Sequence, residues 1–461
     1  MSSLKWKAVR AAWLEEDGRR LDCSPYMSGA LEARDALERL PKTEKLSQVT
    51  ERIFHAGREG RTWVDDPQYG VPFLGSSDIM SADLSALPLM SKKQVERNPL
   101  FRLGGAWTLI TRSGTIGRMA YVRPDMVGMA CSEHVIRVVP KHGHIPPGYL
   151  YAFLSSRYGV PLVVSGTYGA IIQHIEPEHI AKLPVPRFAE DVELRIDQTI
   201  TRSAQLRDEA ARLLKEATAR LLVAANLPPM RTGGAVIPFS VSSAVASALQ
   251  KRCDGFFHSR YHQDAVSTMS RAGGTQRLAD FTASIVEPNR FKRVVLNADS
   301  GGTPLFGTSA IFWNDPEPSY YLPRKLAEPY VVDMNTLLVP RSGQLQGVIG
   351  RPVLPYGDII GGAVSEDAIR IHCHTPVQAG FLFVFLTSDY GLRQLKSRAF
   401  GSSIPHLDVR QIGECLMPSF DSEVIEEIGR VGLQVSELRS EALRLEREAR
   451  RAVENAIEGS E

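Results

Sequence analysis

The chain has 461 residues, a formal net charge of +2 and 43% hydrophobic residues, enough apolar content for two cores of ordinary size. No stretch reaches the roughly eighteen apolar residues of a membrane span, and Met1-Ser-Ser-Leu-Lys-Trp-Lys-Ala lacks the apolar run of a signal peptide, so a cytoplasmic protein is expected. Five cysteines, Cys23, Cys131, Cys253, Cys373 and Cys415, are scattered without a C-x-x-C pair, which argues for reduced thiols and against a zinc ribbon or disulfide frame.

In chain order, an N-terminal segment (1–19) precedes a first module, Arg20–Phe188. Its β-type runs, Trp107-Thr-Leu-Ile-Thr111, Met119-Ala-Tyr-Val122 and Val135-Ile-Arg-Val-Val139, alternate with Gly, Pro, Asn and Asp, while helices are short, at Tyr149–Ser156 and a single turn at Glu178–Ala181. A long helix is predicted over 189–227. Its apolar positions run Val192, Ile196, Ile200, Ser203, Leu206, Ala210, Leu213, Ala217 and Leu221, mostly three and four apart, with no Gly or Pro before Pro228. Pro228-Pro-Met-Arg-Thr-Gly-Gly234 breaks that helix and opens a connector (228–251). The second module, Arg252–Phe420, has the same mixed α+β texture, with strands at Thr336–Val339 and Ala368–Ile371, a helix at Leu382–Ser388 and a turn at Arg410–Ile412. A second long helix (421–461) carries Val424, Ile428, Val435, Leu438, Ala442, Leu445, Ala449 and Val453. Alternating Leu and Ala suits close helix packing, so Leu206, Ala210 and Leu213 are expected to pair with Leu438, Ala442 and Leu445. The alternative is that each helix packs only on its own module.

The two modules are one sequence written twice. A shift of 232 residues lays Gly148-Tyr-Leu-Tyr-Ala-Phe-Leu-Ser-Ser-Arg-Tyr-Gly159 over Gly380-Phe-Leu-Phe-Val-Phe-Leu-Thr-Ser-Asp-Tyr-Gly391, and Pro72-Phe-Leu-Gly-Ser-Ser-Asp-Ile79 over Pro304-Leu-Phe-Gly-Thr-Ser-Ala-Ile311. It also brings Arg20-Leu-Asp22 onto Arg252-Cys-Asp254 and His174-Ile-Glu176 onto His406-Leu-Asp408. Two such periods fill the chain, and a duplicated module suits a bipartite ligand. Charge divides along the same lines: 189–227 holds six Lys/Arg and seven Asp/Glu, and 421–461 holds six and eleven, so the rest of the chain carries +8. That bias is compatible with a polyanion partner.

In these features the chain resembles the specificity subunits of type I restriction-modification systems. The resemblance rests on two modules each followed by a long helix, the Arg-x-Asp openings (Arg20, Asp22; Arg252, Asp254), and Arg-Ser-Gly before Ile-Gly-Arg. The latter pairs are Arg112-Ser-Gly114 with Ile116-Gly-Arg118, and Arg341-Ser-Gly343 with Ile349-Gly-Arg351. Each module closes on Leu183-Pro-Val-Pro186 or Leu416-Met-Pro418. The order and the doubling are specific; no single motif is. In the second copy five residues, Gln344-Leu-Gln-Gly-Val348, separate the motifs where the first has only Thr115.

The resemblance implies a noncatalytic subunit that reads an asymmetric two-part sequence in double-stranded DNA and holds two adenine methyltransferase subunits, joined in full complexes by a translocating nuclease. It implies an antiparallel coiled coil of the two long helices, acting as a ruler; a helix of about 37 residues spans ~55 Å, or roughly sixteen base pairs. S-adenosylmethionine, ATP and Mg would belong to the partner subunits. The chain's own motifs agree. There is no Gly-x-x-x-x-Gly-Lys-Ser/Thr phosphate loop, and Asn98-Pro-Leu-Phe101 departs from a methyltransferase Asn-Pro-Pro-Tyr/Phe at its third residue. His372-Cys-His374 reads as an ordinary strand, and Gly401-Ser-Ser403 near His406 has no counterpart in the first copy, so neither a metal nor a serine nucleophile is expected.

Two loops per module carry cations for phosphate and planar or amide groups for base edges. The first holds Arg58, Arg61 and Trp63 in one copy and Arg290, Lys292 and Arg293 in the other. The second holds Tyr168, Gln173 and His174, and correspondingly Arg398, Phe400, Ser402 and His406. Arg112, Arg341 and Gln344, at the Arg-Ser-Gly turns, complete the candidate DNA contacts. Shared residues such as Gly75/Gly307 and Phe188/Phe420 are assigned to the fold. A duplicated protein-binding scaffold is the alternative, and an enzyme of unrecognised chemistry a third.

Overall fold

The computed structural model describes residues 6–11, 24–165, 174–230 and 241–459. The chain divides into two compact units, one of residues 1–208 with 442–461 and one of residues 209–441. Both are mixed α/β, and each contains a stretch of both long helices, Glu190–Ala224 and Ser422–Glu458.

The first unit is built on strands β1 (Thr43–Lys45), β2 (Thr50–Phe54), β3 (Trp63–Val64), β4 (Gly70–Leu74), β5 (Leu89–Ser91), β6 (Thr108–Thr111), β7 (Met119–Tyr121), β8 (Ala130–Cys131), β9 (Val135–Pro140) and β10 (Pro184–Pro186). They form an antiparallel sheet β2-β9-β6-β7, a sheet β3-β5-β4-β8 in which β4 and β8 run parallel, and the pair β1-β10. In the second unit β11 (Thr275–Arg277), β12 (Ser284–Val286), β13 (Thr303–Phe306), β14 (Pro318–Leu322), β15 (Thr336–Pro340), β16 (Ala363–Val364), β17 (Ala368–His372) and β18 (Leu416–Pro418) repeat the plan as β12-β17-β15, β14-β13-β16 and β11-β18. The counterpart of β7 shrinks to one bridge, Leu338 with Val353. That loss goes with the four extra residues between the second Arg-Ser-Gly and Ile-Gly-Arg.

The repeated motifs have structural causes. Helix Pro147–Leu154 and its counterpart Pro376–Thr387 are apolar on all sides because they are buried on all sides, and Pro at the first turn costs no hydrogen bond there. Gly148 lies so close to the first long helix that a Cβ would stand 2.9 Å from the Asp197 carbonyl oxygen; Gly380 sits tighter still on the Gly429 carbonyl of the second. Ser156 accepts from the Gly159 amide at 3.2 Å and Ser388 from that of Gly391 at 3.3 Å, capping the helix that follows in each unit. Phe188 meets Tyr149 edge-on and Phe420 meets Phe381 likewise.

The predicted strands lie where expected, but the helices were underestimated. The second apolar helix begins at Pro376, capped by Thr375, six residues before its predicted start. Helix Arg260–Ala272 was not anticipated, although His262, Ala265 and Met269 bury one face at helical spacing. No helix among the described residues is long and apolar enough to cross a membrane.

The long helices pair within each unit. In the first, Ser203 donates to the Ala442 carbonyl at 2.7 Å; in the second, Arg220 meets Glu427 at 3.1 Å. Advance along one helix thus matches retreat along the other, which is antiparallel pairing. Leu206, Ala210 and Ala442 are buried as expected. Leu213, Leu438 and Leu445 are only partly buried, and Leu214 and Leu443 are buried in place of Leu213 and Leu445. Leu445 instead lines an open groove of about 1010 Å³ with Phe188, Val192, Ile196, Ala449 and Ala452.

Candidate nucleic-acid interface

Behind each first loop lies a buried arginine at the centre of a sheet. Arg137, on β9 opposite Leu109, donates to the carbonyls of Cys131, Ser132 and Val135. Arg370, on β17 opposite Leu338, donates to those of Val364, Ser365 and Ala368. Burial pulls the Arg370 guanidinium down to about 10, with Glu366 opposing that shift. The turn each arginine braces presents a carboxylate, Glu133 or Glu366. Burial alone would raise both carboxyls, but hydrogen bonds, Arg61's to Glu133 at 2.6 Å and those of Arg293 and the local backbone to Glu366, hold them below the usual range. Arg293 chelates both Glu366 oxygens at 3.0 and 3.1 Å. Arg61 also covers the Phe73 ring, and Arg293 that of Tyr320. Arg61 and Arg293 are thus parts of a frame that the two copies share.

The rest of the first loop is held from below. Gln94, buried and absent from the sequence-based candidates, accepts from the Thr62 amide at 2.8 Å and donates to the Gly60 carbonyl at 2.7 Å and to Glu59 at 3.1 Å. Glu59 is held further by Arg97 and Asn98. On this fixed turn Arg58 is exposed and Trp63 is 49% exposed, its inner edge set against Phe73. With Glu133 and His134 they line a hollow of about 470 Å³. In the second unit Phe291 packs on Tyr330, whose hydroxyl donates to the Asn289 carbonyl at 2.8 Å. Arg290 and Lys292, on either side of Phe291, are exposed.

Of the second loops, Tyr168 and Gln173 lie outside the described residues, as do Arg20 and Asp22. His174 is partly buried beside Ile175, and Ile175 exchanges hydrogen bonds with Arg112, which also pairs with Glu176. The corresponding arginine, Arg341, pairs with Glu287 and lies 3.6 Å from Asp367. Arg398 is buried and donates to the carbonyls of Gln394 and Glu414 at 3.1 and 3.0 Å. Arg252 of the Arg-x-Asp opening, paired with Asp254, grips the carbonyls of Arg398 and Ala399 at 2.8 Å each. From that root the loop closes through reciprocal backbone bonds between Phe400 and His406 at 2.9 and 2.8 Å, leaving Phe400 45% exposed and Ser402 exposed. The His406 ring meets Ser342 at 2.8 Å. Gln344 donates to the Ser403 carbonyl, and Lys396, pulled down to about 8 by burial, donates to that of Leu345; the inserted segment is thereby tied to the second loop.

The candidate residues therefore divide. Arg61, Arg112, Arg293, Arg341 and Arg398 are occupied by carboxylates or carbonyls of their own unit, whereas Arg58, Trp63, Arg290, Lys292, Phe400 and Ser402 present surface on anchored loops. Among the described residues no group of three or more His, Cys, Asp and Glu is placed to hold a metal ion.

No protein-family model and no curated protein matches the chain. Among solved structures, it is similar to the type-I restriction-modification system S subunit from M. genitalium, at 11% identity and a TM-score of 0.30, over 90% of this chain and 94% of that one. It is similar also to the HsdS subunit from Thermoanaerobacter tengcongensis, at 14% identity and a TM-score of 0.28, over 92% and 98%.

Proposed function

We propose that this chain is a noncatalytic sequence-recognition subunit of a type I restriction-modification complex, reading a bipartite, asymmetric target in double-stranded DNA. The observation that carries the proposal is the division within the duplication. The internal frame is kept in both units, Arg137 with Arg370 and Arg61–Glu133 with Arg293–Glu366, while exposed loop residues around the shared Arg58/Arg290 differ, Gly60 against Lys292 and Trp63 against Val295. A common scaffold with unlike cationic and planar loop residues suits two unlike half-sites. The motif order and the helix pairing support the same assignment. Two adenine methyltransferase subunits, joined in complexes that cleave by a translocating nuclease, dock on the long helices; S-adenosylmethionine, ATP and Mg belong to those partners.

A salt titration on mixed-sequence duplex DNA tests this. Phosphate contacts make log K fall linearly with log[salt], by ~0.9 per contact. A duplicated protein-binding scaffold would give no such slope.

A further inference from the structure

The duplication sets a problem that the chain must solve. Each unit contains stretches of both long helices, and the two helices descend from one sequence, so a first helix could pair with a first helix of another molecule, and a second with a second. The seams of the two units differ in a way that bears on this choice.

In the first unit the seam is polar. Glu446, on the second long helix, is buried and receives the Tyr151 hydroxyl, the Arg207 guanidinium from the first long helix and Arg450 from one turn along its own. Beside it Ser203 donates to the Ala442 carbonyl. The repeat puts Phe383 where Tyr151 stands, Leu214 for Glu446, Thr218 for Arg450, Val435 for Ser203 and Arg439 for Arg207. In the second unit the carboxylate and the phenol are replaced by apolar groups: Leu214, Phe383 and Val435 belong to one core, and the buried Arg439 lies over the rings of Tyr356 and Phe383 at 5.8 Å.

We propose that the Tyr151–Arg207–Glu446–Arg450 cluster is a pairing code that commits the second long helix to the first module and excludes like-with-like pairing between copies of this chain. In a pair of first halves, Leu214 would stand in Glu446's place, and Tyr151 and Arg207 would lose the buried carboxylate they share. In a pair of second halves Glu446 would face Phe383 and lose the phenol donor. A buried charge deprived of its partner is costly, whereas exchanging the whole network for apolar residues is often nearly neutral. The cluster therefore discriminates more than it stabilises, as polar residues do at coiled-coil seams. The inference holds whatever ligand the modules take.

The test uses two full-length, differently tagged chains, one carrying Ser203→Cys and the other Ala210→Cys. Natively Ser203 meets Ala442, whose equivalent in the first copy is Ala210. A 203–210 disulfide between chains, identified by mass spectrometry after the mixture is refolded together, reports like-with-like pairing. In the otherwise unaltered chain this cross-link should be rare. With the cluster's polar groups removed, by Tyr151→Phe, Arg207→Leu, Glu446→Leu and Arg450→Thr, it should rise at least tenfold. Glu446→Gln, which keeps the shape and loses the charge, should give a smaller rise and serves if the quadruple variant does not fold. An unchanged cross-link in the folded quadruple variant, or in Glu446→Gln where the quadruple variant fails to fold, or frequent cross-linking in the unaltered background, would overturn the proposal.

Discussion

The two units solve one architectural problem with different chemistry. Both press a glycine-led apolar helix onto a long helix, but the first completes its seam with a buried carboxylate and its donors, the second with Phe383, Leu214 and Val435. Their first loops differ likewise, one pinned by Gln94 and Glu59, the other by Phe291 on Tyr330. What is kept is geometry, and what has diverged is the chemistry of exposed loops and of the seam. Selection on a frame and selection on a ligand or pairing choice leave different marks on a duplication, and here those marks separate.

The largest effect should come from charging the seam. Leu206→Asp buries an unpaired carboxylate and should cost ~3–5 kcal/mol, whereas Leu438→Asp, at a half-buried position, should cost ~1–2 kcal/mol. Urea unfolding of the full chain compares them; equal losses would mean that both leucines carry the seam alike.

Next in size is the glycine contact. Gly380→Ala drives a Cβ into the Gly429 carbonyl and should destabilise by ~1–3 kcal/mol, more than Gly148→Ala, whose neighbours include the movable Ile200 side chain. The same unfolding curves rank the two variants.

A smaller, pH-dependent difference should distinguish the seams. Burial would raise the Glu446 carboxyl, but Arg207 and Arg450 together with the Tyr151 hydroxyl hold it well below the usual range. A carboxylate depressed in the folded state stabilises above its unfolded pKa of ~4.3, and that contribution is lost as pH falls toward the folded value. Hydrogen exchange should therefore show helix amides around Glu446 losing protection in acid before those around Leu214. Glu446→Gln should remove that difference; if it persists in the variant, its source lies elsewhere.

The long helices and the doubled α+β plan were legible in the sequence because helical spacing and self-similarity are local or periodic signals. Which leucine faces inward was not: Leu213 and Leu214 are adjacent and equally apolar, and only the packing of Leu214 in the second unit's core decides between them. The candidate cations were legible as loop residues, but their partners were not. Arg61 finds Glu133, and Arg341 finds Glu287, across sequence gaps that nothing local encodes. Gln94 was missed for the same reason, its role being fixed by backbone groups more than thirty residues away.

The central claim is that the two units read separate half-sites through their exposed loops. Binding to a DNA library randomised separately in each half-site, measured for Arg58→Ala and for the Arg290→Ala/Lys292→Ala pair, tests it most directly. A cation making a bidentate base contact should cost about 1–3 kcal/mol and relax preference in one half-site, a different one for each variant; a cation touching only phosphate should flatten the salt slope by about one unit. Variants that change neither affinity nor preference, or that disturb both half-sites equally with no change in salt dependence, would contradict it.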